Sequence, residues 1–196
     1  MKYNYFFRND VVPSEACDHI IEMHKKDLKP AKIGTGFNQE KDQEKSIVPP
    51  KAIRKSSTSW VTDPEIKQNI LNIAHYYNQN FFNFDLYENH NPDIQFTQYH
   101  ELDQDHYNWH IDCGTGEEFT YSQRKLSFIL NLTDPEEYEG GDVIFKVSSK
   151  DDIPSEIIKK KGTVIVFPSF LLHKVTPVTK GCRNSLVTWL WGPSFR

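Results

Sequence analysis

Six short apolar runs crowd the second half of the chain and constrain its fold more than any other feature. They are IQFTQYH (94–100), RKLSFILNL (124–132), DVIFKV (142–147), GTVIVFP (162–168), LHKVTPV (172–178) and RNSLVTWLW (183–191). Each has strand length, is rich in β-branched and aromatic residues, and is bounded by turn signals. Two helical stretches come before them. Pro13-Ser14 opens the first, with Ala16, Ile20, Ile21 and Met23 on its apolar side. Asp63-Pro64 opens the second, pairing a capping carboxylate with proline in the first turn. Ile66, Ile70, Ile73, Ala74, Tyr77 and Phe81 then follow at helical spacing, and the helix is predicted to end near Asn83. Residues 3–7 and 51–61 read as further strands. Helices first and strands later predict a mainly β fold, an antiparallel core with the helices packed on one side.

The 196 residues suffice for one domain with a substantial core, and no internal boundary is visible. Residues 1–93 form a helical and strand support, and 94–192 the β-core. Leu28–Pro50, with two glycines, many charges and Pro49-Pro50, reads as either a lid or a solvated tether. SSKDDIPSEIIKKKG (148–162) reads as an exposed excursion between two core strands. A net charge of −4 argues against a broad nucleic-acid surface. Cys17, Cys113 and Cys182 are too few and too scattered for a disulfide framework or a zinc knuckle, and suit a reducing cytoplasm. No apolar run approaches membrane-spanning length, and MKYNYFFRND lacks the apolar core of a secretion signal. The expectation is a cytoplasmic protein with neither a nucleic-acid nor a membrane partner. Its oligomeric state is left open.

Within HYNWHID (106–112), His110 and Asp112 stand two positions apart, so on a strand they project to one face. The pair suits two corners of a metal site, or equally a hydrogen-bonded His–Asp pair on a sheet surface. Two histidines and one carboxylate on one side of a metal leave open positions opposite, the arrangement of non-haem iron(II) oxygenases. That reading requires a second histidine downstream, and His173 is the sole candidate after Asp112. Taken alone, His173 also reads as a partly buried strand-end histidine. Such a site needs a two-electron co-reductant, usually 2-oxoglutarate, whose distal carboxylate calls for an arginine fork. Arg183 lies ten residues after His173, and Ser185 shares its face. A surface arginine at a strand start is the plainer alternative, and Arg54 and Arg124 are rival anion partners.

HID at 110–112, EGGDVIF at 139–145, GTVIVFPS at 162–169 and LLHKVTPVTKGCRNSLVTWL at 171–190 together resemble the iron(II)- and 2-oxoglutarate-dependent dioxygenases. The branch most similar is that of the prolyl/lysyl hydroxylases, including prolyl 4-hydroxylases and the bacterial PKHD-type hydroxylases. His173 to Arg183 fits that branch's H-x-V-x-P-V-x-x-G-x-R segment throughout. The resemblance covers residues 94–192 and, before them, only the helix-then-strand plan and RKSSTSWV (54–61).

The resemblance implies a double-stranded β-helix, or jelly roll. It implies His110, Asp112 and His173 as metal ligands, and Arg183 with Ser185 at the distal carboxylate of 2-oxoglutarate. Tyr99 and Tyr107 are both counterparts of pocket tyrosines, and which one meets the co-substrate stays open. Iron(II), 2-oxoglutarate and dioxygen are the implied cofactors, with ascorbate beside them. The implied reaction hydroxylates an unactivated C–H bond, releases succinate and carbon dioxide, and uses no acid–base side chain. A prolyl residue in a peptide or protein is the implied substrate; a free amino acid or other small molecule is the alternative. The nucleic-acid demethylases of the superfamily carry a second arginine soon after the first. Here NSLVTWLWGPSF intervenes before Arg196. A jelly-roll binding protein whose metal is structural or absent is the rival from outside catalysis.

Several neighbouring residues receive plainer readings. Trp109 is expected in core packing or, as the alternative, in substrate-side packing, His100 and His106 in loops, and Cys113 as a small buried residue. Gly140-Gly141 is expected to form a turn with positive φ, and Asn131 and Thr133 to line the pocket with Ile129.

Overall fold

A computed structural model describes residues 5–31, 53–87, 91–114, 121–147 and 158–195. The chain runs β1 (Phe6–Arg8), α1 (Ser14–His24), β2 (Lys29–Pro30), β3 (Arg54–Lys55), β4 (Ser57–Trp60) and α2 (Pro64–Tyr77). It continues with β5 (Ile94–His100), β6 (His106–His110), β7 (Ser122–Asn131), β8 (Tyr138–Gly140) and β9 (Val143–Phe145). The last strands are β10 (Val164–Pro168), β11 (His173–Val175) and β12 (Val178–Pro193). The larger sheet has the order β1-β10-β7-β12-β5-β4-β2, with β8 paired to the start of β12. The smaller sheet has the order β3-β6-β11-β9. All these pairings are antiparallel, and the two sheets face each other as the jelly roll expected from the sequence.

Side-chain alternation divides the larger sheet between two cores. Even-numbered residues such as Phe96, Phe128, Leu130 and Leu186 face α1 and α2, where Cys17, Ile20, Ile70 and Ala74 meet them. Odd-numbered residues such as Tyr99, Ile129, Ile165 and Phe167 face the smaller sheet, where Val143, Phe145 and Val175 meet them. Both helices therefore lie on the outer face, and the interior between the sheets is left for a site. The Asp63 carboxylate starts α2 by accepting hydrogen bonds from the Glu65 and Ile66 backbone amides. The predicted helix over 64–83 is α-helical to Tyr77 and then widens into a π-helical turn, Asn78–Phe82. Asn83, at φ +52°, closes it.

The structure departs from the sequence expectation at three further places. The single strand expected over 51–61 is two strands, β3 in the smaller sheet and β4 in the larger. The strand expected over 172–178 likewise splits where the chain changes sheets at Thr176-Pro177, and its end belongs to β12. The excursion expected over 148–162 returns to the interior: Ile158 is buried, while 148–157 lies outside the described residues. Of the lid or tether segment, Lys29–Pro30 forms β2, and 32–50 lies outside the described residues. Gly140 and Gly141 take φ of +72° and +63°, and a Cβ on Gly140 would sit 2.0 Å from the Pro177 carbonyl oxygen. No helix among the described residues is long and apolar enough to cross a membrane.

Candidate metal centre

His110 ends β6, His173 begins β11, and the two are paired across adjacent strands. Asp112 lies just beyond β6, where its backbone amide donates to the Ser169 carbonyl at 2.8 Å. The Asp112 carboxylate thus enters between the two imidazoles: Oδ1 is 3.7 Å from His110 Nε2, and Oδ2 is 3.6 Å from His173 Nε2. One ligand atom from each of the three residues lies within 4.8 Å of the others. Both histidines use Nδ1 against backbone, His110 toward Asn108 O at 2.7 Å and His173 toward Leu171 O at 2.8 Å. A carbonyl can only accept, so Nδ1 carries the proton and the Nε2 lone pairs face inward, as neutral ligands need.

Burial, and secondarily the neighbouring His173 imidazole, pushes the His110 pKa down to about 4, which keeps this imidazole neutral at neutral pH. Burial alone would raise the Asp112 pKa. His173, His110, a hydrogen bond from Ser127 and the charge of Arg124 together outweigh it, so the carboxyl titrates below its usual range. The Ser127 hydroxyl donates to Asp112 Oδ2 at 2.6 Å and meets Ser169 Oγ at 2.9 Å. Sequence reading missed Ser127. Counting back along β7 by twos from Asn131 through Ile129 reaches it.

Tyr107 and His110 both face the cavity although they are three residues apart. The register supplies the reason: His173 pairs with His110 and Val175 with Tyr107, so β6 carries one extra residue over that span. This bulge breaks the alternation. The Tyr107 ring stacks on the His110 ring at 3.4 Å between centroids and 9° between planes. Trp109 is not in the core as expected. Alternation with the inward-facing His110 turns it outward, 39% exposed, under the Lys174 ammonium. Cys113 is half-buried rather than buried, and His100 and His106 stand outside the cluster, hydrogen-bonded to nearby backbone.

The triad and Arg183 line one cavity of about 430 Å³, open mouth included. Arg183 is 3% exposed, and no acidic side chain among the described residues forms an ion pair with it. Nη2 donates to Asn131 Oδ1 at 2.9 Å, Nη1 reaches Ser185 Oγ at 3.4 Å, and the Tyr99 ring lies 5.6 Å away. Of the rival arginines, Arg54 also lines the cavity but is less buried than Arg183, and Arg124 is not in its lining. Arg54 donates to Ser56 and Gln95 and lies over the Tyr107 ring, and Arg124 stacks on Trp189 at 3.9 Å. Thr133 does not line the cavity; its hydroxyl is taken by Asn184. Asn131 stands behind Arg183 rather than in the wall.

The family model described as the 2OG-Fe(II) oxygenase superfamily matches residues 94–191, half of the chain. The chain belongs to that superfamily. Among curated relatives, a PKHD-type hydroxylase of Synechococcus sp. is 36% identical over 86 residues, 44% of this chain and 36% of that protein. A PKHD-type hydroxylase of Crocosphaera subtropica is 29% identical over 143 residues, 71% of this chain and 61% of that protein. The match to the first of these therefore spans about a third of the relative's length. The fold is shared with a viral collagen prolyl hydroxylase of Paramecium Bursaria Chlorella virus-1, solved with 2OG, at TM-score 0.71 and 21% identity, covering 97% of each chain. It is also shared with a Pseudomonas putida prolyl-4-hydroxylase at TM-score 0.65 and 17% identity, covering 98% of this chain and 95% of that one.

The superfamily implies iron(II), 2-oxoglutarate and dioxygen, and the residues present fit them. Two Nε2 lone pairs and a carboxylate converge from one side, as a facial metal site needs. A buried guanidinium in the same cavity lacks a carboxylate partner among the described residues, which suits the far end of a dicarboxylate.

Proposed function

We propose that this oxygenase hydroxylates an unactivated C–H bond, that of a prolyl residue in a peptide or protein. In this reading His110 Nε2, the Asp112 carboxylate and His173 Nε2 hold iron(II). Arg183, with Ser185 beside it, receives the distal carboxylate of 2-oxoglutarate, and Tyr99 flanks that end of the cavity. Bound there, iron(II) and 2-oxoglutarate supply the oxidising chemistry, consuming dioxygen and leaving succinate and carbon dioxide. The protein's own part is geometric. Backbone carbonyls fix the histidine tautomers, Ser127 orients the carboxylate, and the Tyr107 ring holds the His110 plane. Ile129, Val175 and Val187 line the cavity with apolar surface that keeps water from the reacting atoms.

The observation that carries the reading is the meeting, in one cavity, of a three-ligand cluster and a buried arginine without a counter-charge. The prolyl substrate is supported by the shared fold, which includes a Trichoplax adhaerens prolyl hydroxylase solved with a hypoxia inducible factor peptide fragment. The test is succinate release from 2-oxoglutarate with added iron(II) and ascorbate, alongside mass spectrometry of a panel of proline-containing peptides. A peptide gaining one oxygen atom per succinate is the expected result. Absence of iron-dependent succinate would reject the oxygenase reading, and turnover that leaves every peptide unchanged while hydroxylating free amino acids would reject the peptide substrate. Arg183→Ala is expected to raise the KM for 2-oxoglutarate ~10- to 100-fold, the worth of a charge-assisted hydrogen bond. A KM like that of the wild type would remove Arg183 from the site.

A further inference from the structure

Every partner that Arg183 has among the described residues is uncharged, and the strongest of them is Asn131. The Asn131 Oδ1 to Arg183 Nη2 distance is 2.9 Å, against 3.4 Å from Nη1 to Ser185 Oγ. The placement follows from the sheet. Asn131 ends β7 opposite Ser185 on β12, two residues past Arg183 on the same face. Asn131 is itself anchored: its Nδ2 donates to the Ile158 carbonyl. The amide therefore cannot rotate, since the reverse orientation would set an NH₂ group against the guanidinium and an oxygen against a carbonyl. Asn131 and Ile158 are both buried, so water does not replace either bond. A Cβ on Gly141 would lie 2.9 Å from Arg183 Cδ, so the arginine stem packs directly against this glycine.

We propose that Asn131 is the positioning residue of the co-substrate end of the cavity, holding Arg183 by an uncharged acceptor so that its charge stays oriented and uncompensated for a dicarboxylate. The inference rests on the reading of Arg183 as the anchor of 2-oxoglutarate. An aspartate here would have nearly the same shape but would neutralise the guanidinium from behind, and would also oppose the Ile158 carbonyl. The cavity would then lose its preference for a 2-oxo acid with a second carboxylate. A merely structural asparagine predicts instead that each variant weakens 2-oxoglutarate, 2-oxobutyrate and manganese(II) together, with no loss confined to the ligand that carries a distal carboxylate.

The experiment titrates 2-oxoglutarate and 2-oxobutyrate, which lacks the distal carboxylate, into manganese(II)-loaded wild-type protein, N131D and N131A by calorimetry. Manganese(II) affinity is measured first as the check on fold and metal site. N131D is expected to weaken 2-oxoglutarate ~10- to 100-fold and N131A ~3- to 10-fold, with 2-oxobutyrate and manganese(II) little changed. Equal affinity of N131D and wild type for 2-oxoglutarate, a larger loss in N131A than in N131D, or parallel losses for the two ligands would each overturn the proposal. If N131D fails to bind manganese(II), N131A alone decides, by whether its loss is confined to 2-oxoglutarate. Wild-type protein that binds manganese(II) but not 2-oxoglutarate would sink the underlying reading of Arg183, a result distinct from any ordering of the variants.

Discussion

Asp112 is the most constrained side chain of the cluster. One carboxylate oxygen accepts from Ser127, and its own backbone is tied to Ser169. A ligand held this way keeps its lone pairs aimed without the metal, and loss of such an outer partner typically costs metal affinity ~10- to 100-fold. Ser127→Ala is therefore expected to weaken manganese(II) or iron(II) binding by that factor while leaving the fold intact, as read by competition with a chromophoric chelator. Undiminished affinity would mean that the bond is incidental. His110→Ala, Asp112→Ala and His173→Ala are each expected to abolish specific metal binding with an unchanged far-UV circular dichroism spectrum. Retained stoichiometric binding in any one of them would count against the triad. These three residues were legible in the sequence because a His–Asp pair two positions apart is followed by a single downstream histidine, although Asp112 lies just past β6 and is placed by its backbone bond to Ser169 rather than by strand alternation. Ser127 was not, because its role depends on which strand packs beneath Asp112.

The elements show the same division between local and cross-strand information. The start of α2 was readable because Asp63-Pro64 is a local signal, and the Asp63 carboxylate does cap two amides at 2.9 Å. Asp63→Ala is expected to destabilise the domain by about 1 kcal/mol, seen as a lower urea midpoint with an unchanged slope. No shift would mean that water satisfies those amides equally well. The bulge in β6 was not readable, since it is defined only by the register against β11. It is the reason that Tyr107 and His110 share a face. The change of sheets at Thr176-Pro177 was hidden for a related reason. A proline can sit within an apparently continuous run, and only the partners on either side reveal that β11 and β12 belong to different sheets. The excursion before β10 misled because its charges, Lys159 to Lys161, directly follow Ile158, which packs inward.

At the scale of the molecule, one large sheet separates two interiors, and their chemistry differs. The face toward the smaller sheet holds the cavity with the ligand cluster, and the face toward the helices is packed mainly with apolar side chains, with His24 a buried ionisable group among them. His24 is 6% exposed at the end of α1, its ring 5.8 Å from Phe96, and its Nε2 is buried with no hydrogen-bond partner among the described residues. Burial lowers its pKa below the usual 6.5, and the negative charges of Asp27 and Asp63 oppose that only in part. As pH falls through 6.5, the unfolded chain binds a proton at this imidazole that the folded chain refuses, so stability declines with falling pH over this window. Urea unfolding is expected to show a lower midpoint at pH 5 than at pH 7.5, and His24→Leu should remove part of that difference by abolishing the titration. Because His24 lies on the helix side of the sheet, the same variant should bind manganese(II) at pH 7.5 as the wild type does. An unchanged pH dependence in His24→Leu would place the acid sensitivity elsewhere. A loss of metal affinity would show that the two interiors are coupled through the sheet rather than insulated by it.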